Sequence, residues 1–350
     1  MRAFKDHLII AGSSVKSALT KLNELSQDAI LFVVDINNKL IGSLTDGDIR
    51  RGLLNNFTIE SKIDEIIQPK PRYITKGDNN ILKIIEYRKE NLRILPVLDS
   101  DGKVVNVINF RNINSYLPID AVIMAGGRGQ RLKPLTNSIP KPLIKVGSKP
   151  IMEHNLDRLA KFGIDDFWVS INYLGEQVEK YFGDGSQKNV KIEYVREVEP
   201  LGTIGAVSNI NNFEHDYILI TNSDLLTNID YEDFFLEFVT QEADFAVLTI
   251  PYQVNIPYAV LETYEGAIRS FKEKPTYTYY SNGGIYLMKK ELLKYIPQNT
   301  YFNSTDLMES LINNNYKVIS YPFSGYWLDI GKHDDLEKAK NDINKLTFLI

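Results

Sequence analysis

Residues 120–146, reading DAVIMAGGRGQRLKPLTNSIPKPLIKV, hold the densest concentration of chemically capable side chains in the sequence. An apolar run over residues 121–124, short enough for a buried strand, stops at Gly126, Gly127 and Gly129. Without Cβ atoms, such residues let backbone N–H groups come close to a phosphate. Arg128, Arg131, Lys133, Lys141 and Lys145 then put five cations within eighteen residues, in a chain whose formal net charge is -5. Positive charge is gathered where a polyphosphate would sit.

Two well-known glycine loops are excluded. The dinucleotide fingerprint G-x-G-x-x-G, started at Gly127 and Gly129, needs a glycine at 132, where the chain has Leu132. The G-K-[ST] ending of a P-loop is absent as well. What remains, A-G-G-x-G-x-R-L-x-P-L-T from Ala125 onward and then P-K-P-L, resembles the signature of the sugar-1-phosphate nucleotidyltransferases, which make nucleotide sugars. Gln130 stands where that family usually has Thr or Ser, and leaves the glycines and Arg131 intact. The resemblance implies that Ala125, Gly126, Gly127 and Gly129 cradle the nucleotide, that Arg131 neutralises the departing pyrophosphate, and that Lys141 holds the α-phosphate.

Further motifs follow in the family's order. Asn222-Ser223-Asp224 comes directly after the apolar run YILIT, so Asp224 is expected at the same sheet edge as the glycine loop; capping the next helix is its competing use. Trp327-Leu328-Asp329-Ile330-Gly331 matches the family's W-x-D-I-G. In the family these two aspartates bind Mg²⁺. Two carboxylates with no histidine or thiol nearby in sequence suit such a hard, oxygen-seeking cation. Glu273-Lys274-Pro275 resembles the E-K-P in which Glu bonds sugar hydroxyls and Lys holds the sugar phosphate. Asn282-Gly283-Gly284-Ile285-Tyr286 resembles the N-x-G-x-Y stretch of the sugar pocket, and Pro257-Tyr258-Ala259-Val260 departs from P-Y-G-V at Ala259.

Glu199-Pro200-Leu201-Gly202-Thr203 resembles the L-G-T segment beside the base. A glycine at 202 allows close approach of a flat ring. Glu199 offers paired acceptors that complement the adjacent N1 and N2 donors of guanine better than the edge of uracil or thymine, which favours GTP. A solvent-facing Glu199 beside a turn stands equally open.

The elements that would position these residues follow from the apolar pattern. Residues 151–162 read as an amphipathic helix with Met152, Leu156, Leu159 and Ala160 inward and Gly163 just past its end, and His154 as a packing or solvent-facing residue. Residues 167–171, 191–195 and 217–221 read as strands. Strands alternating with helices imply a largely parallel sheet covered on both faces, with ligands at the carboxyl ends of its strands.

Residues 1–117 contain an internal repeat. Residues 30–50 align without a gap on residues 94–114, at an offset of 64. Each copy runs from an apolar strand through a turn, Asp35-Ile36-Asn37-Asn38 or Asp99-Ser100-Asp101-Gly102, into a second strand, with a helical stretch before it. Duplicated β-α-β-β units of this kind resemble a tandem CBS pair. Such pairs usually bind an adenine nucleotide through a Thr or Ser and an Asp three residues later, here Thr45 and Asp48; the second copy has Asn109 and Asn112 instead. Capping of the helix near Ile49 is the other use of Thr45 and Asp48. A regulatory nucleotide and a purely dimerising module are therefore both open, and a homo-oligomer formed through the module is expected. The linker, residues 114–119 with Pro118, is too short for independent tumbling.

Length and composition bound the rest. The 350 residues suffice for two or three domains, and the acidic balance argues against a general nucleic-acid binder. No run approaches about 20 apolar residues, the N-terminus lacks a signal-peptide pattern, and there is no cysteine, so a cytoplasmic protein is expected.

The fold class expected is α/β: a Rossmann-like, GT-A-like nucleotidyltransferase domain with a mainly parallel sheet over residues 118–350, preceded by an α+β tandem CBS module over 1–117. The arrangement most resembles the CBS-linked glucosamine-1-phosphate guanylyltransferases of legionaminic acid pathways. It implies a Mg²⁺-dependent reaction of NTP, GTP favoured, with a sugar 1-phosphate. The competing readings are a UTP- or dTTP-dependent hexose-1-phosphate enzyme, and a nucleotide-sensing regulator with an inactive transferase domain. Erosion of the charged positions would mark the latter, yet Arg131, Lys141, Asp224, Lys274 and Asp329 are all present.

Overall fold

The structure is a computed structural model describing residues 4–78 and 80–346; the ends of both expected domains, residues 1–3 and 347–350, lie outside it. In the N-terminal part, β1 (Leu8–Ile10), α1 (Val15–Leu25), β2 (Ile30–Val34), β3 (Leu40–Thr45), α2 (Asp46–Leu54) and β4 (Gln68–Pro69) form a four-stranded sheet with its helices. The second copy supplies β5 (Ile74–Thr75), α3 (Ile81–Lys89), β6 (Ile94–Leu98) and β7 (Val104–Asn109) in a three-stranded sheet.

The repeat is visible in fine detail. Both copies pair parallel and then antiparallel, with a register shift at Val33/Val34 in one and at Val97/Leu98 in the other. Asp35 Oδ1 accepts from the N–H groups of Asn37 and Lys39, both at 2.8 Å, and Asp99 Oδ1 from those of Asp101 and Lys103, both at 2.9 Å. An aspartate that binds its own turn this way fixes the hairpin locally. The two hairpin tips then bond to each other, Leu40 N–H to Gly102 O at 3.1 Å and Val104 N–H to Asn38 O at 2.9 Å. The copies differ after the second strand: α2 follows β3, whereas β7 runs into turns that lead straight to residue 119.

From there the chain builds a seven-stranded sheet. In chain order its elements are β8 (Ile119–Met124), a two-stranded ribbon of β9 (Lys145–Val146) and β10 (Lys149–Pro150), α4 (Ile151–Lys161), β11 (Asp166–Ile171), α5 (Gly175–Phe182), β12 (Lys191–Arg196) and β13 (Tyr217–Asn222). There follow β14 (Leu225–Thr227), α6 (Tyr231–Thr240), β15 (Phe245–Asn255), β16 (Val260–Tyr264), β17 (Ala267–Lys272), β18 (Thr276–Lys289), α7 (Ser304–Asn313), β19 (Val318–Pro322), β20 (Trp327–Asp329) and α8 (His333–Asp342). The sheet order is β12-β11-β8-β13-β18-β15-β19, and only the pairings of β18 are antiparallel. Strands β8 and β13 read as near-continuous apolar runs because helices cover both faces. Among those helices, α6 buries Tyr231, Phe234, Phe235 and Phe238, each worth about 2–3 kcal/mol of removed apolar surface. His154 is buried, its Nε2 bonded to Val146 O at 2.9 Å, so it packs.

The linker is fastened to the larger part. Asn114 N–H and Leu117 N–H donate to Lys161 O and Phe162 O at the end of α4, at 2.5 and 3.1 Å. Gly163, at φ +74°, leaves room for this, since a Cβ there would lie 2.4 Å from Ser115 O. The apolar core of the second copy continues into that of the seven-stranded sheet. Polar ties flank it: Arg88 pairs with Glu232 at 2.5 Å and Lys76 with Asp166 at 3.3 Å, while Asp165 accepts from Asn106 at 3.2 Å.

Candidate functional site

Register decides what meets at the carboxyl edge of the sheet. Met124 ends β8 and lies opposite Ser170 of β11 and Asn222 of β13. The glycine loop and the segment 222–224 therefore leave the sheet side by side, as the apolar runs imply. Ser223 N–H donates to Met124 O at 3.2 Å, and Asn155 of α4 donates to Ser223 O at 3.1 Å, which pins the turn that presents Asp224.

The loop after β8 winds into a short 3₁₀ turn, Gln130–Leu132. Gly129 takes φ +58°, and a Cβ on it would stand 2.8 Å from Thr136 Cγ2 and 3.1 Å from Lys141 Cβ, so only glycine lets Lys141 pass this close. Thr136 Oγ1 donates to Gly129 O at 2.9 Å and holds the loop against that crossing.

Asp329 arrives from far along the chain. Strand β14 pairs antiparallel with β20, setting Leu225 opposite Asp329, and Ile330 N–H donates to Asp224 O at 3.0 Å. Two carboxylates about a hundred residues apart thus become neighbours. Lys141 is ion-paired to Asp224, and Gly331 lies so close to Arg131 that a Cβ would be 3.2 Å from its Nη2. Burial, and then the charge of Asp224, push the Asp329 carboxyl above its ordinary pKa, with Lys141 and Arg131 pulling the other way.

These groups line a pocket of about 430 Å³ that takes in Ala125, Gly126, Gly127, Gly129, Arg131, Lys141, Gly202, Thr203 and Asp224. A second pocket of about 310 Å³ adjoins it, sharing Thr203 and Asn222, and takes in Asn282, Gly283 and Asp329. Asn282 Oδ1 accepts from Gly284 N–H at 2.9 Å, and Trp327 Nε1 donates to Gly283 O at 2.9 Å, so the W-x-D-I-G segment braces the glycine pair. Gly202, at φ +81°, packs against Phe302 O, and Thr203 Oγ1 accepts from Ser304 N–H at 2.9 Å.

Three expected residues are not brought in. Glu199 lies exposed outside either pocket, and Glu273 and Lys274 sit exposed at a bend between β17 and β18, away from both. In the position expected of Glu199 stands Glu197, which the sequence reading missed. Its N–H donates to Ile171 O at 2.9 Å, extending the β11/β12 ladder by one residue, and its side chain lines the larger pocket. Its carboxylate accepts from Leu201 N–H at 2.9 Å and from Ser170 Oγ, and a Cβ on Gly126 would meet it at 2.7 Å. Tyr301 also lines this pocket and went unnoticed; no spacing marks it.

In the N-terminal part, Thr45 and Asp48 cap α2 reciprocally. Asp48 is 3% exposed and accepts from Thr45 N–H and Oγ1, from Gln68 Nε2 at 2.8 Å and from Arg51. Burial alone would raise its pKa; these donors outweigh it and hold the carboxyl below the usual value.

The nucleotidyl transferase family model matches residues 120–345. The chain belongs to that family. A CBS domain model matches residues 9–55, ahead of the residues that the nucleotidyl transferase family model matches. The chain is 30% identical over 233 residues to the mannose-1-phosphate guanylyltransferase of Mycobacterium tuberculosis, covering 64% of each chain. It is 30% identical over 240 residues to the UTP–glucose-1-phosphate uridylyltransferase of Synechocystis, covering 63% of this chain and 62% of that one. The chain thus spans less than two thirds of the length of these relatives. Its fold matches the crystal structure of HddC from Yersinia pseudotuberculosis complexed with GMP-PN, with a TM-score of 0.50 at 24% identity over 64% of this chain and 99% of that one. No helix among the described residues is long and apolar enough to cross a membrane.

Proposed function

We propose that the transferase joins a nucleoside triphosphate to a sugar 1-phosphate, giving an NDP-sugar and pyrophosphate, with residues 118–350 carrying the reaction and a tandem CBS module over 1–117 regulating or pairing it. The observation that supports this most is the convergence of Arg131, Lys141, Asp224 and Asp329 on the glycine loop, with a second pocket directly alongside. Two adjoining pockets suit two substrates that must meet in line. A sugar phosphate oxygen attacks the α-phosphorus, the bond from the α-phosphorus to the bridging oxygen breaks, and pyrophosphate leaves with that electron pair. The attacking oxygen is already anionic, so no general base is required and positioning and charge neutralisation do the work.

In this reading the backbone at Gly126, Gly127 and Gly129 receives the triphosphate, Arg131 faces the leaving pyrophosphate and Lys141 the α-phosphate. Asp224 and Asp329 would hold Mg²⁺, which when bound neutralises phosphate charge. The donor set fits: two oxygen-donor carboxylates are held together, where burial and the charge of the first keep the second above its ordinary pKa. Glu197 replaces Glu199 as the acceptor for guanine N1 and N2, which supports GTP; the relatives act on mannose 1-phosphate with guanylyl transfer and on glucose 1-phosphate with UTP. The finer reading, a GDP-sugar such as GDP-glucosamine on a legionaminic acid route in the cytoplasm, rests on the resemblance of the architecture. A nucleotide at Thr45 and Asp48 has to displace the donors that Asp48 already holds, which favours a pairing role for the module.

The test is a pyrophosphate-release screen of four NTPs against a panel of sugar 1-phosphates that includes glucosamine 1-phosphate, with Mg²⁺ and with EDTA. Release from GTP with one sugar, abolished by EDTA, is expected. Silence with every pair would overturn the reading.

A further inference from the structure

The foot of the seven-stranded sheet, opposite the edge that carries the glycine loop, holds a second cluster of chemically capable side chains. Asp165 and Asp166 stand where β11 begins, and His215 two residues before β13. Both strands flank β8, so the three residues are brought together from either side of it. One ligand atom from each lies within 4.8 Å of the others. The Asp120 carboxylate of β8 fixes the turn that presents the imidazole, accepting from His215 N–H at 2.7 Å and Glu214 N–H at 3.3 Å. Asn106 Nδ2 and Tyr116 Oη donate to Asp165 Oδ2 at 3.2 and 3.4 Å, the kind of support that metal-ligating carboxylates receive.

Two polar atoms here have no hydrogen-bond partner among the described residues, although their residues are almost wholly buried: Asp166 Oδ2, on a residue 5% exposed, and His215 Nδ1, on one 3% exposed. Such atoms are uncommon in a folded chain and mark a group still to be matched. Asp166 Oδ2 stands 3.7 Å from His215 Nε2, beyond hydrogen-bond reach. Two ligands of one tetrahedral ion, with bonds of ~2.0–2.1 Å, lie roughly 3.3 Å apart, so small rotations close the set. Asp165 and Asp166 also line a cavity of about 740 Å³ between the transferase and the N-terminal part, which gives an ion its way in and room for water as a further ligand. Lys76 Nζ, on the other wall, is 3.3 Å from Asp166 Oδ2. One lysine faces three carboxylates, counting Asp120, so negative charge remains to be neutralised.

We infer that Asp165, Asp166 and His215 form a binding site for a divalent transition-metal ion of the zinc class, which Lys76 fills with its ammonium when no ion is bound. A nitrogen ligand beside two carboxylates suits Zn²⁺ better than Mg²⁺, whose sites are built of oxygen. Asp224 and Asp329, the residues proposed to hold Mg²⁺, lie at the opposite edge of the sheet, so the two sites differ in both chemistry and place. Lys76 follows β5 of the second copy, and its side chain is 31% exposed, which lets it swing out as the ion enters. Ion and lysine compete for one carboxylate. Binding therefore exchanges the Lys76–Asp166 tie across the cavity for bonds made within the transferase.

Metal titration of the full chain tests the site, with Zn²⁺ followed by calorimetry and Co²⁺ by visible absorption, both in a large excess of Mg²⁺ to occupy Asp224 and Asp329. One Zn²⁺ per chain is expected, retained in Asp329→Asn and weakened at least about tenfold in His215→Gln. Lys76→Gln removes the competing cation and is expected to tighten binding about tenfold. Because that side chain is partly exposed, this variant decides the matter even where His215→Gln fails to fold: unchanged or weaker binding in Lys76→Gln overturns the inference. So does a wild type that takes up neither ion, or equal affinity in His215→Gln. Binding that disappears in Asp329→Asn overturns it too, since the ion then sits at Asp224. None of these results touches the proposed reaction, whose residues lie at the other edge.

Discussion

Substituting Glu197 by Gln isolates the contribution of one carboxylate to choice of base. In the structure its two oxygens face Leu201 N–H, at 2.9 Å, and Ser170 Oγ. A Gln side chain keeps an oxygen for the backbone donor and turns its amide NH₂ toward the hydroxyl, which can accept. The fold therefore loses little, less than about 1 kcal/mol. The ligand loses more. Guanine presents N1–H and N2–H side by side, and Gln offers a neutral oxygen where a charged pair of acceptors stood. A hydrogen bond to a charged group is worth about 1.5–3 kcal/mol, so kcat/KM for GTP should fall by about 10- to 150-fold. UTP, whose edge alternates acceptor, donor and acceptor, should lose far less or gain. The assay is initial-rate pyrophosphate release with each nucleotide at saturating sugar 1-phosphate, with a melting curve to confirm folding. Glu199→Gln, on an exposed side chain outside the pocket, should change neither rate. A GTP-to-UTP ratio that stays within twofold in Glu197→Gln would refute the assignment.

Asp329→Asn should lower turnover by at least about 100-fold, by removing an anionic oxygen where phosphates and cation converge. The same change relieves a buried carboxylate beside Asp224, so its melting temperature should hold or rise while the Mg²⁺-induced thermal shift disappears; a retained shift would argue against Asp329 as a ligand. Gly202→Ala meets Phe302 O at 2.5 Å from a φ of +81°, and should cost about 1–3 kcal/mol of stability in denaturant melts and raise KM for the nucleotide. At the opposite edge of the sheet, burial and then the charge of Asp166 push Asp165 up to about 6. Its neutral form therefore favours the fold below about pH 4, an advantage lost as pH rises through 6. Asp165→Asn, which stays neutral, should raise the melting temperature at pH 8 and leave it nearly unchanged at pH 4; equal shifts at both would show that burial of charge is not the cause.

Local chemistry was legible in the sequence wherever a few consecutive residues determine it. The apolar run before Gly126 could only be a buried strand ending in an open loop, and the Asp35 and Asp99 turns bind their own backbone, so the repeat at an offset of 64 reappears down to its register shifts. Asp224 was placed correctly at the loop edge because it directly follows a strand whose partner ends at Met124. Glu197 and Glu199 could not be told apart, since both are acidic and two residues apart. Only the hydrogen bond of Glu197 to Ile171 shows that the ladder runs one residue past β12 and turns the first of them into the pocket. The meeting of Asp224 with Asp329 depends on pairing across about a hundred residues, and the separation of Lys274 from the pocket depends on how far β15 and β18 stay paired. Strand pairing of that range is set by the packing of the whole sheet, and a sequence motif carries no distance.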